Sequence, residues 1–470
     1  MPTTAAALTP WIRALVEPDR QSPQRSLEEY LASIPRLESL IDVPAGTPVL
    51  VRGDVDCKPG AKIGDGDVRL RSMVQTLKFG QVRGWKQIVF GHIGRKPEGS
   101  LKAVAARLGE LLGCEVPLLT DWLDEASLTI PEAVSRAIAD SRPGSVLILE
   151  NVRRYAIERA LWDASAADAA KLAEPLAKLA NQFAVQVARL YVNEALSAGS
   201  LDASTTIVPA AMDRVALGTY IAGEFDGPMR RCLQAELVMF SGLKTDKLDD
   251  LEAMIQRGAI RDVFTGGSLA MALKKADAQL AGQDFCLGVA EDPAHRDKPY
   301  YIEPERIEQA RRMLAEGRAK GISFVLPEDF VLQDGRMAEG IGPQDQQFDV
   351  GPKTSERFER HVGDFLAAAK QRPASAGPAV AFHNGVLGMF EDPRFEQGTR
   401  RFIAQLKRMK DAGVEVYVGG GEGGAALDKY GQPDWVTHCF TAGGTVLNAL
   451  GSKPVPYLQA LSMAAGNARR

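Results

Sequence analysis

Four arginines and a histidine recur in the first half of this chain at or near the ends of short apolar runs. Arg52 and Asp54 lie in VLVRGDV (49–55), and Arg69 follows in DGDVRLRS. His92 and Arg95 lie at and just after QIVFGHI (87–93), Asn151 and Arg153 at and just after VLILEN (146–151), and Asn193 and Glu194 in RLYVNEA (189–195). One such arginine is ordinarily a solvated surface charge. A converging set suits a small polyanion, because guanidinium forks match carboxylate and phosphate oxygens bidentately.

The second half ends its apolar runs differently, on glycine: FSGLKTDK (240–247), FTGGSLA (264–270), FHNGVLG (382–388), VGGGEGG (418–424) and FTAGG (440–444). Glycine lets backbone N–H groups approach a phosphate, and a following helix N-terminus adds a favourable dipole. For any single loop a tight turn suffices; for the set, a nucleotide site is the better explanation. Gly419, Gly421 and Gly424 satisfy GxGxxG, but a dinucleotide reading leaves the other four loops unexplained. GxxxxGK[ST], HRD and DFG do not occur, so the common kinase signatures are absent. An anion-binding half facing a glycine-rich half is what phosphoryl transfer needs: in-line positioning, charge neutralisation and hinge closure that shuts out water.

The elements that must hold these residues are strands and helices in alternation. Nine runs begin at 49, 87, 146, 189, 236, 262, 323, 379 and 415; each is short, β-branched-rich and apolar on both alternations, as strands buried on both faces are. Between them SLKAVAARLGELLG (100–113), with Ser100 as N-cap, and TSERFERHVGDFLAAAK (354–370) carry helical stripes. The pattern predicts an α/β fold of two doubly wound, Rossmann-like parallel-sheet lobes joined by a hinge helix. The expected divisions are an N-terminal extension (1–45), an N-terminal lobe (46–215), a hinge helix (216–235), a C-terminal lobe (236–452) and a tail (453–470).

At 470 residues, 45% hydrophobic and 25% charged, the chain reads as an ordinary multidomain globular protein. A net charge of −4 gives no long-range attraction for nucleic acid or anionic lipid. The five cysteines form no CxxC pair, which argues against zinc and a disulfide framework. The N-terminus reads as no signal peptide and no apolar run is long enough to span a bilayer. Cytoplasm is the expected location.

VLVRGDVDCKPG…DGDVRLR, VFGHIGRKPEGSLKAVAARLGELLG, LILENVRR and LYVNEA resemble, in order and spacing, motifs of phosphoglycerate kinases. SGLKTDKL, TGGSLA, LPEDFVL, FDVGPKT, FHNGVLGMFEDPRFEQGT, GGGEGGAA and THCFTAGGTVLNALG continue the likeness, which spans roughly 45–462. The resemblance implies reversible transfer from ATP to 3-phosphoglycerate, giving ADP and 1,3-bisphosphoglycerate, by a monomer using Mg²⁺. It implies that Arg52, Asp54, Arg69, His92, Arg95 and Arg153 hold the phosphoglycerate, with Arg69 bridging the carboxylate and the transferred group. Lys244 and Lys247 would meet the nucleotide phosphates, beside Gly242, Asn384, Gly420 and Gly421. Gly266 and Gly267 would line the adenine pocket, Glu391 would bind ribose and Glu422 Mg²⁺, and Gly443 and Gly444 would lie near the transferred phosphate. The tail PVPYLQALS would return to the N-terminal lobe.

The sequence also departs from the family pattern. Asp56 stands where the family has Asn, which adds a negative charge to an anion pocket. The family's His-Arg segment has become SAGSLDAST (197–205), so one arginine of the basic patch is missing. Glu422 replaces the Mg²⁺-binding Asp, Gly423 a Thr and Ala442 a Gly, while His383 and Val386 replace the Trp and Pro beside Asn384-Gly385. Losing one charge-assisted phosphate contact costs about 1.5–3 kcal/mol. The acceptor side has changed most, so the alternatives are a different small carboxylate substrate or a non-catalytic nucleotide-binding paralogue.

Overall fold

The computed structural model describes residues 2–17, 25–451 and 453–468. It divides into two compact units, Met1–Asp226 with Lys453–Arg470, and Gly227–Ser452.

The first unit is built on a six-stranded parallel sheet. Its strands are β1 (Pro48–Arg52), β2 (Lys86–Phe90), β3 (Leu118–Leu119), β4 (Val146–Leu149), β5 (Leu190–Asn193) and β6 (Arg214–Leu217). Their order is β3-β4-β2-β1-β5-β6, so β1 lies centrally and the chain winds outward both ways from it. Such a sheet needs a helix at each crossover and covers both faces. Val49, Val51, Val89 and Ile148 of the strands pack with Leu77, Trp85, Val104 and Leu108. Helix Lys102–Leu112 starts after Leu101, while Ser100 Oγ accepts from Lys102 N (3.3 Å) and donates to Glu150 (2.8 Å). The helix ends at Gly113, whose φ of 68° suits the left-handed terminus.

The outer segments of the chain brace this unit. Helix Ala5–Val16 sends Trp11 Nε1 to Thr206 O (2.8 Å). Ser26 and Glu29 form a capping box on helix Leu27–Ser33, which stops before Pro35. Helix Pro456–Ala468 donates from Gln459 Nε2 to Ala14 O (2.7 Å), and Ser462 meets Ser33 (2.7 Å).

Residues 216–235 differ from a single helix. Ala216 and Leu217 belong to β6, and only then do helix Thr219–Glu224, a π turn Phe225–Met229 carrying Pro228, and helix Arg230–Cys232 follow. The boundary between the units falls inside that turn.

The second unit repeats the plan. Strands β7 (Leu237–Gly242), β8 (Asp262–Gly266), β9 (Ser323–Val325), β13 (Val380–Asn384), β14 (Glu415–Gly419) and β15 (His438–Cys439) form a parallel sheet in the order β15-β14-β13-β7-β8-β9. Between β9 and β13 lies a small antiparallel sheet of β10 (Phe330–Leu332), β11 (Met337–Ala338) and β12 (Gln347–Val350). Helix Pro352–Lys370 and helix Gln397–Asp411 bring Phe358 and Phe402 onto Phe264 edge-to-face. Among the described residues no helix is long and apolar enough to cross a membrane, and all five cysteines are free.

Candidate active site

In the first unit, Arg52, Asp54, Asp56, Arg69, His92 and Arg153 come together beyond the carboxyl ends of β1, β2 and β4. Arg52 is buried; it donates to Ser204 Oγ (3.0 Å), Gly53 O (2.8 Å) and His92 Nδ1 (2.8 Å). A guanidinium only donates, so Nδ1 of His92 carries the lone pair and Nε2 the proton. Burial, with the Arg52, Arg153 and Arg69 charges nearby, holds His92 well below its ordinary pKa. The ring is therefore neutral, with Nε2 3.7 Å from Asp56 Oδ2.

Arg69, from helix Val68–Val82, lies 3.8 Å from Asp54 and 3.2 Å from the Asp56 carboxylate, and donates to Asp56 O (2.7 Å). Its side chain is 23% exposed. Asp54 accepts from the Ser197 hydroxyl (2.6 Å); burial pushes its pKa upward, and the Arg69 charge opposes that. Asp56 also accepts from Gly94 N (2.8 Å). Asn151 holds the turn after β2 by accepting from Ile93 N (3.2 Å) and donating to Gly99 O (3.0 Å). Glu194 binds Thr76 (2.6 Å) and Tyr220 N (2.9 Å), and burial pushes it up to about 7. Asn151 and Glu194 thus support the loops, whereas Arg95 lies exposed.

The residue that sequence reasoning missed is Asp202. Fully buried, it accepts from Arg153 Nη2 (2.9 and 3.2 Å) and Trp162 Nε1 (2.8 Å), and lies 3.8 Å from Arg52. Glu158 beside it accepts from Ser204 Oγ (2.5 Å) and N (2.9 Å); burial and then the Asp202 charge push Glu158 upward. Asp202 lies within SAGSLDAST, the segment already marked by its missing arginine, so the signal was an acid in a stretch expected to be basic.

In the second unit the strand ends deliver helix N-termini. Helices Lys247–Gln256, Gly267–Leu280, Gly421–Tyr430 and Gly443–Leu450 follow β7, β8, β14 and β15, which concentrates unpaired N–H groups and positive dipole ends there. Two glycines have steric reasons. Gly267 has φ +61°, and a Cβ on it would stand 2.6 Å from Gly242 O; a Cβ on Gly443 would collide with Gly420 Cα. Gly266 is buried against Leu387 and Ser241, Gly420 caps the helix that Gly421 and Glu422 begin, and Gly444 follows Gly443 into its helix.

The lysines divide. Lys244 is exposed. Lys247 donates from Nζ to Ser241 O (2.8 Å) and Asn384 Oδ1 (3.1 Å), while Asn384 Nδ2 reaches Gly419 O (3.0 Å). Burial lowers the Lys247 pKa, and Glu422 opposes that. A cavity of about 410 Å³ opens among Gly242, Gly267, Met271, Phe348, Glu391 and Glu422. Its wall is largely apolar with two carboxylates at the edge, which suits a flat heterocycle with polar substituents. Among the described residues no group of three His, Cys, Asp or Glu side chains could enclose a metal ion. A lone carboxylate such as Glu422 still fits Mg²⁺ that is carried mainly by phosphate oxygens and water.

Comparison with known proteins points to one family. The family model "Phosphoglycerate kinase" matches residues 41–453. The cytosolic phosphoglycerate kinase of Triticum aestivum is 30% identical over 439 residues, covering 89% of this chain and 96% of the relative. A Clostridium botulinum phosphoglycerate kinase is 28% identical, over 89% of this chain and 96% of its own length. The crystal structure of phosphoglycerate kinase from Pyrococcus horikoshii OT3 has the same fold, with a TM-score of 0.67 at 23% identity over 93% of this chain and 100% of that one. With the family model matched over residues 41–453 and a relative 30% identical along most of both chains, the chain belongs to the phosphoglycerate kinase family.

Proposed function

We propose that this chain is an ATP-dependent carboxylate kinase that transfers the γ-phosphoryl group directly to a carboxylate oxygen. Its reference reaction is that of the family, ATP and 3-phosphoglycerate to ADP and 1,3-bisphosphoglycerate, run reversibly. The observation that carries the reading is the pairing of two chemistries within one family member. Arg69 stands partly exposed beside Asp54 and Asp56, and Lys247 stands at the glycine-lined strand ends. In this reading Arg69 holds the acceptor carboxylate and neutralises charge that develops on the phosphoryl group. Lys247, steadied by Asn384, meets the nucleotide phosphates, with Lys244 outside it. Glu391 meets the ribose, and the N-terminus at Gly443-Gly444 meets the transferred group. Glu422 would hold Mg²⁺, which when bound supplies charge neutralisation on the β- and γ-phosphates. A cytoplasmic location belongs to the proposal, supported by the cytosolic tobacco and wheat relatives.

The test is acyl-phosphate formation from Mg-ATP, trapped with hydroxylamine, across 3-phosphoglycerate and related acids. Turnover lost in Arg69→Ala supports the reading. ATP binding without transfer to any acid would replace it with the non-catalytic one. A second reading, a different small carboxylate as acceptor, is favoured by Asp202, which already engages Arg52 and Arg153.

A further inference from the structure

Leaving aside the exposed Arg95, the acceptor-side cluster balances its own charge before any ligand arrives. Arg52, Arg69 and Arg153 meet the carboxylates of Asp54, Asp56 and Asp202, and the His92 ring between them is neutral. The two arginines deepest in the cluster are the ones already engaged. Arg52 spends its donors on Ser204, Gly53 and His92, with Asp202 3.8 Å away. Arg153 spends Nη1 on Gly94 O (2.9 Å) and Nη2 on Asp202, while its Nε is buried with no hydrogen-bond partner among the described residues. A phosphate bound here would have to displace a carboxylate that already takes Arg153 Nη2 on both its oxygens.

Asp202 is not poised to swing away. Its backbone carbonyl accepts from the hydroxyls of Thr205 (3.0 Å) and Thr206 (2.7 Å), its side chain accepts from Trp162 Nε1, and Trp11 of the N-terminal helix clamps Thr206 O. What stays accessible is smaller. Arg69, 23% exposed beside Asp54 and Asp56, can be reached by one carboxylate, and Asp56, 33% exposed, stands 3.7 Å from Nε2 of the buried His92. That pair can accept from and donate to one hydroxyl group.

We propose that Asp202 fills, from within the protein, the place at Arg52 and Arg153 that a second anionic group of the acceptor would take. The substrate is accordingly a short hydroxy acid with a single carboxylate and no phosphate at its far end. The inference rests on the kinase reading above and names its acceptor. The chemistry balances as before: a carboxylate oxygen forms the new O–P bond, the bond from the γ-phosphorus to the bridging oxygen breaks, and its electron pair leaves on ADP. No proton is transferred, because the acid reacts ionised. Specificity comes from repulsion of the wrong acceptor as much as from attraction of the right one.

The experiment compares glycerate with 3-phosphoglycerate, which differs from it only by the phosphate, in the full-length protein and in Asp202→Asn. The expected result is a kcat/KM at least tenfold higher for glycerate in the unaltered protein, with the ratio moving at least tenfold toward 3-phosphoglycerate in Asp202→Asn. A preference for 3-phosphoglycerate in the unaltered protein, or a ratio unmoved by the substitution, overturns the proposal. If Asp202→Asn does not fold, competition decides in the unaltered protein. Absence of inhibition of glycerate turnover by a tenfold excess of 3-phosphoglycerate supports the proposal, and competitive inhibition overturns it. If no acid is phosphorylated, the kinase reading fails by itself, and calorimetric titration reads the pocket separately. Glycerate binding at least tenfold tighter than 3-phosphoglycerate upholds the role of Asp202, and the reverse order refutes it.

Discussion

The two units share one plan, a six-stranded parallel sheet with helices at the crossovers, and fill the space beyond their strand ends with opposite materials. In the first, side chains do the work: Arg52, Asp54, His92, Arg153 and Asp202 are buried, and they hold one another through ion pairs and charged hydrogen bonds. In the second, backbone does it, with glycines at Gly242, Gly267, Gly420 and Gly443 letting strand ends and helix N-termini close together around Lys247. A backbone surface recognises phosphate generically and tolerates substitution poorly only where a Cβ cannot fit. A buried charge network is specific, and changing one member alters the demand on all the others.

That contrast can be broken first at Asp202. Asp202→Ala leaves Arg52 and Arg153 buried beside no counter-charge, and we expect a loss of about 3–5 kcal/mol in denaturant unfolding. Glu422→Ala, an exposed carboxylate in the glycine-rich unit, should leave the unfolding midpoint unmoved. Equal losses would erase the distinction. The next effect is catalytic: Lys247→Ala should lower kcat by about 10²–10³, the magnitude typical for removing one donor at developing charge. Lys244→Ala should cost less than about tenfold, as expected of an exposed charge. The reverse ranking, read from steady-state rates, would return Lys244 to the role that the family resemblance implies for it.

A smaller effect sharpens the steric side. Gly443→Ala sets a methyl group against Gly420 Cα and should cost about 1–3 kcal/mol of stability, an overpacking penalty, whereas Gly444, with open space around it, should tolerate alanine. The last concerns pH and applies to the second unit. Burial pushes Asp349 up to about 7, against the N–H groups of Gly398 and Val350 that favour its ionised form. An acid raised on folding binds more protons in the folded state, so its contribution is complete below its ordinary pKa and is lost as pH rises toward 7. The stability contributed by this group should therefore fall between pH 4 and 7, by at most about 1.4 kcal/mol per pH unit. Asp349→Asn, which mimics the protonated acid, should flatten that part of the urea-unfolding profile.

Much of the architecture was legible because doubly buried strands announce themselves. VLV, IVF and VLIL have no polar alternation, and each ends on a residue that must face a ligand or a turn. Strand Arg214–Leu217 escaped because its four residues run straight into Gly218 and helix Thr219–Glu224, and the periodicity blended with the helix. The small antiparallel sheet escaped because its strands are two to four residues long and partly polar. At the site, Arg52 and Arg153 were legible as residue types at or near strand ends, whereas Lys247 was legible only through the family resemblance. Nothing local could show that Asp202 would lie between two arginines 150 and 49 positions earlier in the chain, because that placement depends on β1, β4 and the 202–206 turn meeting in space. The distinction between Lys244 and Lys247 was likewise hidden. It depends on where helix Lys247–Gln256 begins and which way its first residue turns.

The most direct measurement is single-turnover transfer from γ-labelled Mg-ATP, with the label followed into acyl phosphate for the full-length protein, Arg69→Ala and Lys247→Ala side by side. Label should appear on a small carboxylate in the unaltered protein and fall at least a hundredfold in both variants. Label that stays on ATP with every acid offered, although ATP is bound, would contradict the assignment of this chain as a carboxylate kinase.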